Sequence, residues 1–81
     1  MKAHIFVSLK KTVLDPQGQT IQRALNSMGH PEIAGVRQGK FFEVDLDGSL
    51  SVDAARAVME KVAGDVLANP VIEEFRVEIL D

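Results

Sequence analysis

The chain has 81 residues, no cysteine, no tryptophan or tyrosine, and a formal net charge of −3. A chain this short makes one domain, residues 1–81, and buries only roughly 60–65% of the surface its unfolded form exposes, so it needs outside support. Disulfides and thiolate metal sites are excluded, and His4 and His30 lack the spacing of metal ligands, which leaves oligomerisation.

No segment approaches the roughly 18 continuous apolar residues of a membrane span, and the apolar run inside MKAHIFVSLKK is too short for a signal peptide. A cytoplasmic protein with no membrane partner is expected. The charge is uneven. Residues 1–40 carry six bases and two acids, whereas residues 41–81 carry three bases and ten acids. Such asymmetry favours complementary contact across an interface.

Residues 3–9 alternate, with Ala3, Ile5, Val7 and Leu9 on one face and His4, Phe6 and Ser8 on the other. That pattern predicts a half-buried strand. In LDPQGQTIQRALNSMG, Asp15 suits an N-cap and Pro16 the first helical position. Ile21, Ala24, Leu25 and Met28 then form an apolar stripe, and Gly29 with Pro31 ends the helix. Residues 33–38 and 41–47 read as two strands joined by a hairpin at Gln38-Gly39-Lys40. Phe42, Val44 and Leu46 share one face of the second; Phe41, Glu43, Asp45 and Asp47 share the other.

A second helix follows, capped by Ser49 or Ser51, with Val52, Ala55, Met59, Val62 and Val66 as its stripe and an end at Leu67-Ala68-Asn69-Pro70. The last strand, residues 71–80, places Val71, Phe75, Val77 and Ile79 together. The order βαββαβ predicts a ferredoxin-like α+β fold, a four-stranded antiparallel sheet with two helices on one face. On the opposite face Phe6, Phe41, Ile72 and Leu80 are left among polar residues, a patch suited to a second copy in a two-fold dimer.

The segment VRQGKFFEVDLDG raises the possibility of nucleic-acid binding, since it offers a base, a glycine and an aromatic on a strand. Its acidic row Glu43, Asp45 and Asp47 repels phosphates and argues against it. The helix start at Asp15-Pro16-Gln17-Gly18 resembles an anion site, but Asp15 itself competes for the free amides. Gly18 costs the helix up to about 1 kcal/mol relative to alanine, which implies close approach of a strand or a partner. The acids Glu43, Asp45, Glu73, Glu74 and Glu78 form no evident catalytic pair, and the serines near helix ends serve as caps. The residues thus describe a small oligomeric α+β domain without an active site of its own. A free-standing ligand-binding regulatory module of the ACT type stays open on fold alone.

LKKTVLDPQGQTIQRALNSMG, VRQGKFFEVDLDG and ANPVIEEFRVEI, in this order, resemble PurS, the small subunit of phosphoribosylformylglycinamidine synthase. The likeness runs from the first strand to the last and rests on Leu14–Gly18, Val36–Lys40 and Asn69–Glu73 together. It implies a dimeric or tetrameric assembly subunit that bridges a synthase subunit (PurL) and a glutaminase subunit (PurQ). The whole enzyme converts formylglycinamide ribonucleotide to formylglycinamidine ribonucleotide in purine synthesis, using ATP and ammonia from glutamine. The resemblance implies no cofactor on this chain, ATP and Mg2+ being used by the synthase. Asp15, Gln17, Gly18, Arg37, Gln38, Gly39 and Lys40 become candidates for partner contact, with the hairpin tip projecting toward the partner.

Overall fold

A computed structural model describes residues 1–80. The elements are β1 (Lys2–Leu9), α1 (Pro16–Ser27), β2 (Gly39–Asp45), α2 (Val52–Val62) continuing into a π-helical turn (Ala63–Leu67), and β3 (Glu73–Leu80). The strands form an antiparallel sheet of order β2-β1-β3. Its register sets Ile5 between Phe42 and Val77, and Ala3 between Val44 and Ile79. Side chains alternate across a strand, so these six share one face. Ala3, Ile5, Val7 and Val77 are buried there beneath Ala55, Met59, Ala63 and Ala68 of the second helical segment. The small alanines let the helix approach the sheet closely, while Met59 fills the remaining space.

Among the described residues the sheet has three strands and not the four expected. The chain does not reverse at Gln38-Gly39-Lys40; β2 simply begins at Gly39, opposite Ser8. Residues 33–38 form no ladder and run back alongside α1 as a strap. Two contacts fix this path: the Asn26 side chain donates to the Ile33 carbonyl at 3.1 Å, and Gly18 lies against the Val36 carbonyl. Gly18 and Asn26 are about 12 Å apart along a helix, whereas residues 33 to 36 span at most about 10–11 Å. The strap is therefore close to fully extended.

The Asp15 side chain caps α1 by accepting from the Gly18 amide at 2.9 Å, and Pro16 follows at the first position. At the other end Gly29 adopts φ +98°, left-handed backbone that glycine enters without steric cost. The helix forms where the sequence placed it, but it does not lie on the sheet. Ile21 and Met28 of its apolar stripe are 39% and 74% exposed. The radius of gyration is 16.0 Å and the long axis 50 Å. A compact chain of this length has a radius of gyration near 12 Å. A strand of eight residues laid end to end with a twelve-residue helix spans about 44 Å, which accounts for the long axis. The molecule is a sheet with an arm, and the arm is α1 plus the strap.

The second helix starts at Ser51, whose hydroxyl accepts from the Ala54 amide at 3.1 Å, while Ser49 instead closes a turn with the Asp47 carboxylate. Val52 at its start is 42% exposed, whereas its expected stripe holds at Ala55, Met59 and Val62. Beyond that the π turn, closed by the Ala68 amide donating to the Ala63 carbonyl at 2.8 Å, inserts one residue and shifts the phase. Leu67 and Ala68 turn toward the core, and Val66 is left 75% exposed. The last strand begins at Glu73, so Val71 and Ile72 belong to the preceding turn, held by Asn69 accepting from the Ile72 and Glu73 amides.

Candidate functional site

The residues singled out around Leu14–Gly18 and Val36–Lys40 converge at the junction between sheet and arm. Asp15, only 5% exposed, is the centre. Its Oδ1 accepts from the Gly18 amide at 2.9 Å and its Oδ2 from the Gln38 amide at 2.8 Å. These two bonds, aided by the nearby Arg37 charge, hold its carboxyl below the usual carboxylate range. Because the carboxylate occupies the first-turn amides, an incoming anion finds them already satisfied.

Arg37 does not project outward from a hairpin tip. Its guanidinium lies across the β1–α1 loop and donates to the carbonyls of Leu9, Lys10 and Val13 at 3.3, 2.8 and 3.1 Å. All three acceptors surround the single nitrogen Nη2, whose two protons they share. Gly18 is required because a Cβ there would collide with the Val36 carbonyl oxygen and crowd the Asp15 carboxylate. The close approach inferred from the sequence is thus made by this chain's own strap. Asp15, Gly18 and Arg37 together fasten the arm to the sheet.

Gln17, Gln38 and Lys40 line the adjoining cleft, which has a volume of ≈ 240 Å³ and also includes Leu9, Asp15 and Glu73. Lys40 Nζ sits 3.5 Å from Glu73 Oε2, joining the Val36–Lys40 and Asn69–Glu73 segments across the sheet. Gly39 forms the floor where β2 begins. The cleft presents two amides, an ammonium and a carboxylate, groups suited to a polar protein surface. It is smaller than typical small-molecule sites of roughly 300–1,000 Å³. Glu73 was not singled out for this role by the sequence. Its place at the start of β3, paired with Leu9, brings it here.

The outer sheet face carries the second group of candidates. Phe6 and Phe41 are cross-strand partners with ring centroids 5.1 Å apart, and Phe41 is 54% exposed. His4 meets Phe41 edge-on at 5.0 Å, and the Arg76 guanidinium lies 4.5 Å from the Phe6 ring centre. Leu80 lies on this face opposite Lys2, whereas Ile72 lies in the turn before β3, outside the ladder. Around the rings, Lys2 and His4 each approach the Glu43 carboxylate at 3.2 Å. The Lys2 hydrogen bond and charge, followed by the His4 contact, lower the Glu43 carboxyl from its ordinary range. His4 was read only as a sheet-face residue beside Phe6, and Arg76, the cross-strand partner of Phe6, was not singled out; strand parity with Phe6 was the available signal. Among the described residues no cluster of three or more acids and histidines could hold a metal ion, and no helix is long and apolar enough to cross a membrane.

Residues 2–81 match the family model described as PurS: phosphoribosylformylglycinamidine (FGAM) synthase. The PurS subunit of the Mycobacterium leprae enzyme is 43% identical over 76 residues, covering 94% of this chain and 91% of the relative. The crystal structure of Bacillus subtilis PurS aligns with a TM-score of 0.83 at 38% identity, covering 99% of this chain and 98% of that one. A chain in the structure of PurLQS from Thermotoga maritima aligns at 0.84 with 30% identity, covering 98% and 95%. The likeness extends through the sheet, the arm and the three converging segments, and the chain belongs to the PurS family of FGAM synthase.

Proposed function

We propose that the chain acts as the assembly subunit of FGAM synthase in purine biosynthesis, holding the synthase (PurL) and glutaminase (PurQ) subunits together without carrying out either reaction. The observation that carries this reading is the full-length likeness to a chain of T. maritima PurLQS. The site geometry supports it. Asp15, Gly18 and Arg37 are spent on fixing the arm, while Gln17, Gln38 and Lys40 face outward as polar donors. Such a rigid polar cleft can orient a protein partner at low entropic cost. In this reading ATP, Mg2+ and glutamine are handled by the partner subunits, and the complex works in the cytoplasm. The outer sheet face, centred on Phe6 and Phe41 with Leu80 at its edge, packs on a second copy.

The test is size-exclusion chromatography of the three purified subunits, with the substrate nucleotide and glutamine present. Co-elution of all three that weakens in Lys40→Glu or Gln17→Ala supports the reading. Co-elution of synthase and glutaminase without this chain opposes it. A ligand-binding regulatory module would instead show stabilisation of the isolated protein by a small ligand, about 2.7 kcal/mol at a hundredfold excess over Kd. No melting shift is expected with glutamine, ATP or the nucleotide alone.

A further inference from the structure

An aspartyl or asparaginyl side chain can cyclise onto the next residue's nitrogen when that N–H is free and the next residue is small. Among the described residues the fold closes this route at every such position but one. Asp15 and Asn69 precede Pro16 and Pro70, whose nitrogens carry no hydrogen. Asn26, Asp53 and Asp65 lie within helical segments, and the Asn26 side chain is itself held by the carbonyls of His30 and Ile33. Asp45 is followed by the bulky Leu46, whose amide donates to the Met1 carbonyl at 2.9 Å. Asp47 is different. It is exposed in the loop between β2 and α2, and its neighbour is Gly48. The Gly48 amide donates to no acceptor among the described residues. A Cβ built on Gly48 would meet nothing within 4 Å, so no neighbouring group crowds the turn.

We propose that Asp47-Gly48 is a site of aspartate isomerisation and that Ser49 holds the reaction in check. The Gly48 nitrogen loses its proton and bonds to Asp47 Cγ, and the carboxyl hydroxyl leaves with that proton as water. Water then adds to the Asp47 main-chain carbonyl of the cyclic imide and breaks its bond to the Gly48 nitrogen. The chain now runs through Cγ, and the former main-chain carbonyl is a free carboxylate. One water leaves and one returns, so the mass is unchanged and no oxidant or reductant takes part. The leaving hydroxyl exists only on the protonated carboxyl, and here two donors favour the carboxylate. Asp47 Oδ1 accepts from the Ser49 amide at 2.9 Å and also from the Ser49 hydroxyl. The hydroxyl first, and then the amide, hold the Asp47 carboxyl below its ordinary range. Removing either donor therefore raises the reactive fraction. Isomerisation inserts a methylene carbon into the main chain just before the Ser51 cap of α2, the helix that sets Ala55 and Met59 beneath the sheet. The product, an isoaspartyl linkage in an exposed loop, has the chemistry that a repair methyltransferase using S-adenosylmethionine recognises.

Incubation of the intact protein at neutral pH for several weeks tests this, independently of any synthase activity. Isoaspartate is counted by methyl transfer from S-adenosylmethionine with a purified isoaspartyl methyltransferase, and it is located by peptide mapping. Among the described residues it should accumulate in the peptide that holds Asp47 and Gly48. Ser49→Ala should raise the rate about tenfold, the effect of losing one hydrogen bond to a charged acceptor. Ser49→Thr keeps a hydroxyl and should stay near the parent. Gly48→Ala, whose methyl group has room in the fold, should slow the reaction. Absence of isoaspartate at position 47 from both the parent and Ser49→Ala overturns the proposal. So does a Ser49→Ala rate equal to that of the parent, or a Gly48→Ala rate that is unchanged. Should Ser49→Ala fail to fold by circular dichroism, the parent compared with Gly48→Ala decides.

Discussion

The Asp15 carboxylate reaches 23 positions along the chain to accept the Gln38 amide at 2.8 Å, while its other oxygen caps α1 at Gly18. One side chain therefore fixes both the helix start and the entry to β2. Its carboxyl is held below its ordinary value, so the stabilisation it gives is present above the unfolded value of about 3.9 and is lost as pH falls through the lower folded value. Asp15→Asn should melt below the parent at pH 7. The gap should hold down to about pH 4 and close in more acid solution, as followed by thermal melts across pH.

Arg37 binds three carbonyls of the β1–α1 loop from an exposed position. Arg37→Ala should cost about 1 kcal/mol, seen as a fall of about 4–8 °C in melting temperature. Arg37→Lys should restore part of it, since the three carbonyls converge on one nitrogen, Nη2, and an ammonium placed there carries three protons. An unchanged melt combined with lost partner binding would instead make Arg37 an interface residue.

Gly18→Ala separates two effects of opposite sign. In an open helix the change would stabilise by up to about 1 kcal/mol. Here the added methyl meets the Val36 carbonyl, a backbone atom with little freedom to move. A net loss of about 1–3 kcal/mol is expected from denaturant unfolding.

The π turn makes a prediction that simple helical periodicity reverses. Val66→Ser should change stability by no more than about 0.5 kcal/mol, since the side chain is exposed. Leu67→Ala, one residue on and packed against the core, should cost about 2 kcal/mol or more in the same unfolding measurement.

These contrasts mark how far the sequence was readable. Helix α1 was legible because Asp15, Pro16 and Gly29 are local signals, and β1 and β3 because alternation records which face is buried. The inner and outer faces of β2, down to Phe42 against Phe41, followed for the same reason. The strap was misread because residues 33–38 do carry strand character. Composition reports that a segment is extended, but it does not say which strand lies beside it. The fastening role of Arg37 was hidden similarly, since its acceptors are backbone carbonyls from residues 9, 10 and 13, which leave no side-chain signature. The phase slip at Val66 depends on one inserted residue that periodicity averages away.

The measurement closest to the central claim is glutamine-dependent formation of formylglycinamidine ribonucleotide by the synthase and glutaminase subunits, with and without this chain. Activity that requires the chain, while the chain alone turns over nothing, is the predicted result. Equal activity in its absence would contradict an assembly role.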